Sequence, residues 1–252
     1  MEKGYSFVSK SYLKYMDQES KDQMDLYYLE CLGRSYTRFS NYDDGIRYLA
    51  NFSSVSLDPD EALLVKDYTG YNYKFINNAL RGTWNYEDNG NIKDMPIYRK
   101  RGEDVSSIIE KHGISLGNIL VYRGVSIDYF KDYGISSLAD LSSLKGKYLV
   151  DIGLVSTSML EDTCYYQKDL ETSLNYDVKI EYMIPSEFSD GMYIGNTSYS
   201  PNQNEYLINT GNMAKVIDVI YDGDGVIIKA MMIPKVIYDK GYRQLKENSL
   251  GK

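Results

Sequence analysis

The feature that most constrains this chain is a change of hydrophobic period near residue 118. Before it, apolar residues recur at helical spacing; after it, they alternate as strands do. Met24, Tyr27, Tyr28, Cys31 and Leu32 predict an amphipathic helix over 21–33, and a second is expected over 43–51 with Ile46 and Leu49 inward. Asp58-Pro59-Asp60-Glu61 combines a cap, a first-turn proline and a capping-box glutamate, opening a helix that runs to Gly70. Another over 71–81 brings Phe75, Ile76, Asn77 and Leu80 together, and Val105, Ile108 and Ile109 mark one over 103–112 stopped by Gly113. Beyond 118, strands are expected over 118–123, 148–158 (one strand interrupted by Gly153), 177–184, 192–195 and 205–209. A closing hairpin, 214–221 with 225–233, turns at Asp222-Gly223-Asp224-Gly225. Helices followed by strands mean an α+β fold, with a curled, mostly antiparallel core and the N-terminal helices packed against it.

Composition narrows the chemistry. One histidine, His112, and two cysteines, Cys31 and Cys164, exclude zinc sites built from several such ligands and leave any Ser-His-Asp triad dependent on His112. The cysteines lie far apart without a motif and read as reduced, small apolar residues. His112 follows Glu110-Lys111 at a helix end, where the helix dipole favours it. Lys and Arg number 28 against 36 Asp and Glu, and the net charge of −8 disfavours nucleic acid. The run Arg99-Lys100-Arg101 reads as a solvated face. No stretch approaches the roughly 18 consecutive apolar residues of a membrane span, and the opening Met1-Glu2-Lys3-Gly4-Tyr5-Ser6 lacks the apolar core of a signal peptide.

Three short motifs remain, each weak alone: Tyr122-Arg123-Gly124, Ser156-Thr157-Ser158 and Gln203-Asn204-Glu205. A strand-borne arginine ordinarily pairs with a carboxylate, and Ser-Thr-Ser is ordinary strand polarity. Their order and strand contexts together carry more. With Tyr68-Thr69-Gly70-Tyr71 through Ile76-Asn77 to Arg81-Gly82, they resemble the bacterial mono-ADP-ribosyltransferase toxins over about residues 41–235. The branch is the one with Arg, Ser-Thr-Ser and Gln-x-Glu, similar to the Rho-directed exoenzymes and the catalytic components of binary actin-modifying toxins. The resemblance implies an ADP-ribosyltransferase-like fold over 41–252; residues 1–40 precede the matching part and are expected as an N-terminal helical extension, either buttressing the cofactor-binding face or docking delivery machinery.

The resemblance also implies roles. NAD is the co-substrate, and no metal is needed. Arg123, with the Gly124 backbone, and Arg81 would hold the diphosphate, for which the planar fork of arginine is suited. Tyr68 and Asn77 match positions lining the adenosine side. Glu205 matches the family glutamate that stabilises positive charge at the anomeric carbon as nicotinamide leaves, and Ser156 would orient it. Thr157 is carried as a cofactor-side residue and, with Ser158, also has a structural reading. Gln203, two residues before Glu205 on an alternating strand, would share its face and read the acceptor. Tyr199 precedes it where relatives present an aromatic to the target. No arginine lies between Ser158 and Asp190, where relatives often place a phosphate clamp. Lys168 is the candidate substitute, and Tyr165 or Tyr166 could stack on nicotinamide. Trp84 reads equally as core or as adenine-side packing.

The activity expected is transfer of ADP-ribose to a host protein, foremost an asparagine of a Rho-type small GTPase, with slow NAD hydrolysis when acceptor is absent. The alternatives are modification of a nucleobase and a catalytically silent partner-binding copy of the fold. A monomer is expected, secreted or delivered into a host cell, with room for a delivery component as partner.

Overall fold

The computed structural model describes residues 16–52, 56–85, 90–164, 176–223 and 225–238. Its first helix, Gln18–Cys31 (α1), is capped by Asp17, whose carboxylate accepts from Ser20 N at 2.7 Å. Met24, Tyr27 and Cys31 are buried as the spacing predicts, whereas Leu32 lies past the last turn and is 40% exposed. Tyr42–Leu49 (α2) turns differently from expectation. Ile46 is 38% exposed, and it is Gly45 that faces inward, where an added Cβ would stand 2.8 Å from Asn204 Nδ2. Tyr42, Tyr48 and Leu49 supply the contacts of this short helix with the core.

Pro59–Asp67 (α3) starts on the expected capping box: Asp58 accepts from the Asp60 and Glu61 amides, and Glu61 accepts in return from Asp58 N. It does not run straight to Gly70. A wide turn over Tyr68–Asn72, with Gly70 at φ −84°, ψ −132°, breaks the axis before Tyr73–Arg81 (α4). Met95–His112 (α5) begins eight residues earlier than the apolar spacing indicates, opening on a first-turn proline and tied to α3 and α4 by the basic residues of its early turns. Lys100 pairs with Asp104, Arg101 with Asp67, and Arg99 donates to Ala79 O. His112 is not left to the helix carbonyls: its Nε2 lies 2.9 Å from Glu61 Oε2, and Lys111 takes the other oxygen.

Among the described residues eight strands form one sheet: Ile119–Val125 (β1), Tyr148–Asp151 (β2), Val155–Ser158 (β3), Val178–Ile184 (β4), Gly191–Tyr193 (β5), Glu205–Ile208 (β6), Asn212–Asp222 (β7) and Gly225–Ile233 (β8). Their order is β2-β7-β8-β4-β1-β3-β6-β5. Every pair is antiparallel except β4 with β8. The 148–158 stretch is therefore two strands, not one interrupted strand. The chain leaves the sheet at Gly153, and β2 pairs with β7 while β3 sits between β1 and β6.

The main core joins Val121, Val155, Ile180, Tyr206, Ile228 and their neighbours. A second cluster packs Val65, Ile76 and Ile109 of α3–α5 on Met192 and Leu207 of β5 and β6. A third seats Met24, Tyr27 and Cys31 of α1 on Val150, Met213, Met231 and Ile233. Both cysteines are buried. No helix among the described residues is long and apolar enough to cross a membrane.

Candidate active site

The break between β2 and β3 builds the site. Asp151 ends β2 and Ser156 lies in β3, so a few residues of turn connect a buried carboxylate to a serine on the neighbouring wall. The turn is pinned from within: Gly153 N donates to Asp151 Oδ1 at 2.8 Å, and Leu154 N donates to Asn77 Oδ1 at 2.8 Å. Gly153 has no room for a Cβ, which would fall 2.8 Å from Asn77 Oδ1 and 2.9 Å from Arg81 Cζ.

Arg81, in the last turn of α4, reaches Asp151 through two parallel bonds, Nε to Oδ1 at 3.0 Å and Nη2 to Oδ2 at 2.9 Å. Arg123 arrives from β1 on the face that carries Val121 and Val125. Its Nη1 stops 3.7 Å from Asp151 Oδ2, and its guanidinium lies 5.5 Å from the Tyr129 ring centre. That Nη1 is buried and makes no hydrogen bond among the described residues. A buried, orphaned guanidinium N–H is costly unless an anion completes it, so this pair of arginines fits a diphosphate. Burial pushes the Asp151 carboxyl up, but Arg81 and Arg123 outweigh it and hold the group below the ordinary aspartate value.

Glu205 opens β6 and is 4% exposed. Ser156 Oγ donates to its Oε1, and Ser198 Oγ donates to its Oε2 at 2.8 Å. Burial raises the Glu205 carboxyl above the ordinary range, with the two serine hydroxyls pulling back. Tyr68 stands in the field of Glu205, Arg123 and Arg81 together. Its hydroxyl donates to Leu154 O at 3.3 Å and accepts from Asn77 Nδ2 at 3.2 Å. The arrangement can hold an anion on two arginines and present a fixed carboxylate to a centre that becomes positive. Among the described residues no group of His, Cys, Asp and Glu could hold a metal ion.

The chain matches the family model for the ADP-ribosyltransferase exoenzymes over residues 49–234. It belongs to that family.

The transferase is also similar in structure to three solved relatives. The Clostridium limosum C3 exoenzyme is 19% identical, with a TM-score of 0.62 over 79% of this chain and 98% of that one. C3stau2 from S. aureus, solved with NAD, is 17% identical at a TM-score of 0.60 over 80% and 100%. BECa, the ADP-ribosylating toxin of a binary enterotoxin of C. perfringens, solved with NADH, is 20% identical at 0.58 over 79% and 50%. No curated protein sequence matches. The transferase is an NAD-dependent protein ADP-ribosyltransferase of α+β fold.

The structure brings Arg81, Arg123, Asn77, Tyr68, Ser156 and Glu205 into this region of the transferase, with Gly124 following Arg123 on β1. Thr157 it turns away: the hydroxyl donates to Tyr206 O at 2.6 Å, buried between β3 and β6. Ser158 Oγ donates to Gln203 O at 2.6 Å, so each residue of the triplet fastens the segment around Glu205. Gln203 is not on a strand. It closes a tight turn over Pro201–Gln203, and Asn204 follows in the left-handed region at φ 46°, so strand alternation does not relate Gln203 to Glu205. Asn204 is fully buried, its Oδ1 accepting from Tyr193 OH at 3.0 Å. Tyr199 is 56% exposed and leans on Tyr71, ring centres 5.9 Å apart, while its amide donates to Thr69 Oγ1 at 2.8 Å. Trp84 joins Phe75 and Tyr98 in a partly buried aromatic group. Tyr165, Tyr166 and Lys168 lie outside the described residues.

Two residues of the site escape sequence reasoning, Asp151 and Ser198. Asp151 reads as the polar end of a strand and Ser198 as a loop serine. Their partners lie 70 residues away for Arg81 and seven for Glu205, at separations with no local period to betray them.

Proposed function

We propose that this transferase moves ADP-ribose from NAD to a side chain of a host protein, foremost an asparagine of a Rho-type small GTPase, and hydrolyses NAD slowly when no acceptor is present. The observation that carries the reaction is the Glu205 carboxylate, buried and held by two serine hydroxyls, with Tyr68 standing in the field of that carboxylate and of Arg123 and Arg81. NAD supplies the reactive ribose–nicotinamide bond. Arg123 and Arg81 hold its diphosphate; Tyr68 and Asn77 shape the wall of the cleft. Glu205 stabilises the positive charge that develops at the anomeric carbon, and Ser156 and Ser198 keep both its oxygens aimed. No general acid is required, because nicotinamide departs neutral from a cationic precursor.

The acceptor assignment rests on Gln203 and Tyr199, which end and begin one exposed loop beside Glu205. A glutamine there offers an amide, able to pair with another amide, where a second carboxylate would favour guanidinium. The acceptor belongs to a host cell, reached after secretion or delivery.

The test is incubation with tagged NAD and a host-cell lysate, with mass spectrometry to locate the label. Glu205→Ala should abolish both label and nicotinamide release. Gln203→Ala should lose the label and keep nicotinamide release within about threefold, a change under about 1 kcal/mol in the barrier. Label on nucleic acid would replace the protein acceptor, and release of nicotinamide by neither wild type nor variant would leave a silent fold.

A further inference from the structure

Two arginines from unrelated elements must point at one diphosphate, and neither α4 nor β1 orients the other's side chain. What they share is Asp151. Its carboxylate takes Nε and Nη2 of Arg81 in a paired fork and faces Nη1 of Arg123 at 3.7 Å. It also accepts from Tyr129 OH at 3.0 Å, and the Tyr129 ring lies against the Arg123 guanidinium at 5.5 Å. Gly153 N holds the second oxygen at 2.8 Å. The side chain of Asp151 is 6% exposed, against 24% for Arg81 and 18% for Arg123.

We propose that Asp151 is the positioning residue of the NAD-binding arginines, locking Arg81 in place and holding Arg123 within reach of a ligand without satisfying it. The inference rests on the NAD reading given above. A buried ion pair offsets its desolvation only where the geometry is close and the remaining donors are hydrogen-bonded. Here one arginine is closed and the other is left open, with a buried N–H unfilled. The two guanidiniums alone would repel each other; one carboxylate between them removes that repulsion and leaves one net positive charge for the diphosphate. Because the carboxylate touches no reacting atom, its effect belongs in binding rather than in the chemical step.

The experiment titrates wild type and Asp151→Asn with ADP-ribose by calorimetry and measures KM and kcat for NAD hydrolysis. Asparagine keeps the volume and loses the ionic fork. ADP-ribose should bind about tenfold more weakly, the loss of one charge-assisted contact, with KM for NAD raised in step and kcat within about twofold. Unchanged or tighter binding would overturn the proposal, as would a fall in kcat at constant KM. If Asp151→Asn does not fold, Tyr129→Phe decides. It removes one bond from Asp151 and touches no guanidinium hydrogen bond, so weaker ADP-ribose binding supports the proposal and unaltered binding overturns it. Wild-type protein that binds neither ADP-ribose nor NAD would overturn the NAD reading itself.

Discussion

At the scale of single residues, the informative contact is the one between Ser198 and Glu205. Ser198 belongs to the loop that carries Tyr199 and ends at Gln203, so that loop touches the carboxylate directly. Glu205 must be ionised to stabilise positive charge. Burial already raises its pKa, and each serine lowers it. Ser198→Ala should therefore push the acid limb of the pH profile for NAD hydrolysis to higher pH and slow the reaction about tenfold, as a pH–rate series would show. The same group affects stability in a definite direction. A carboxyl whose folded pKa is raised favours the native state below its ordinary value and loses that contribution as pH climbs through the folded pKa. Ser156 and Glu205, 49 residues apart, were legible as a pair only through the resemblance that their two motifs share with the family. Asp151 and Ser198 were not, since a lone polar residue acquires meaning only from what the fold sets beside it.

At the scale of elements, the turn at 152–154 decides more than its length suggests. Gly153→Ala would drive a methyl group into Asn77 and Arg81. It should lower stability by about 1–3 kcal/mol, the usual cost of overpacking, and raise KM for NAD, as thermal melts and kinetics on one preparation would reveal. The sequence disclosed the cap of α3, for which Asp58, Pro59 and Glu61 suffice locally, the apolar run of β1 and the alternation of β4. It hid the division of β2 from β3, because a glycine inside an apolar run reads as a bulge when nothing local states which neighbours each half will find. It misdirected the reading of Gln203 for a related reason: the left-handed Asn204 interrupts alternation, held in that conformation by hydrogen bonds to Tyr193 and Tyr42 that the sequence does not show. The inward turn of Gly45 and the exposure of Ile46 follow from Asn204 occupying the space beneath α2.

For the whole molecule, the three largest core clusters among the described residues meet on a single sheet, and α1 is part of that packing. Met24 is fully buried against β-strand residues. Met24→Ala should destabilise the protein by about 2–5 kcal/mol in one cooperative denaturation transition. An unmoved midpoint would show α1 unfolding by itself. The order of the strands carries a further consequence. β2 and β7 reach the rest of the sheet only through β8, which lies between β7 and β4. Asp151 sits on one side of that seam and Ser156 and Glu205 on the other. The strand that joins them is the last of the eight in chain order, and it enters the interior of the sheet, not its edge. Assembly therefore has a built-in schedule: during synthesis, or after any passage as an extended thread with its N-terminus leading, no sheet ladder joins the two sides of the cleft until β8 arrives, and only the 152–154 turn and side-chain bonds link them before that.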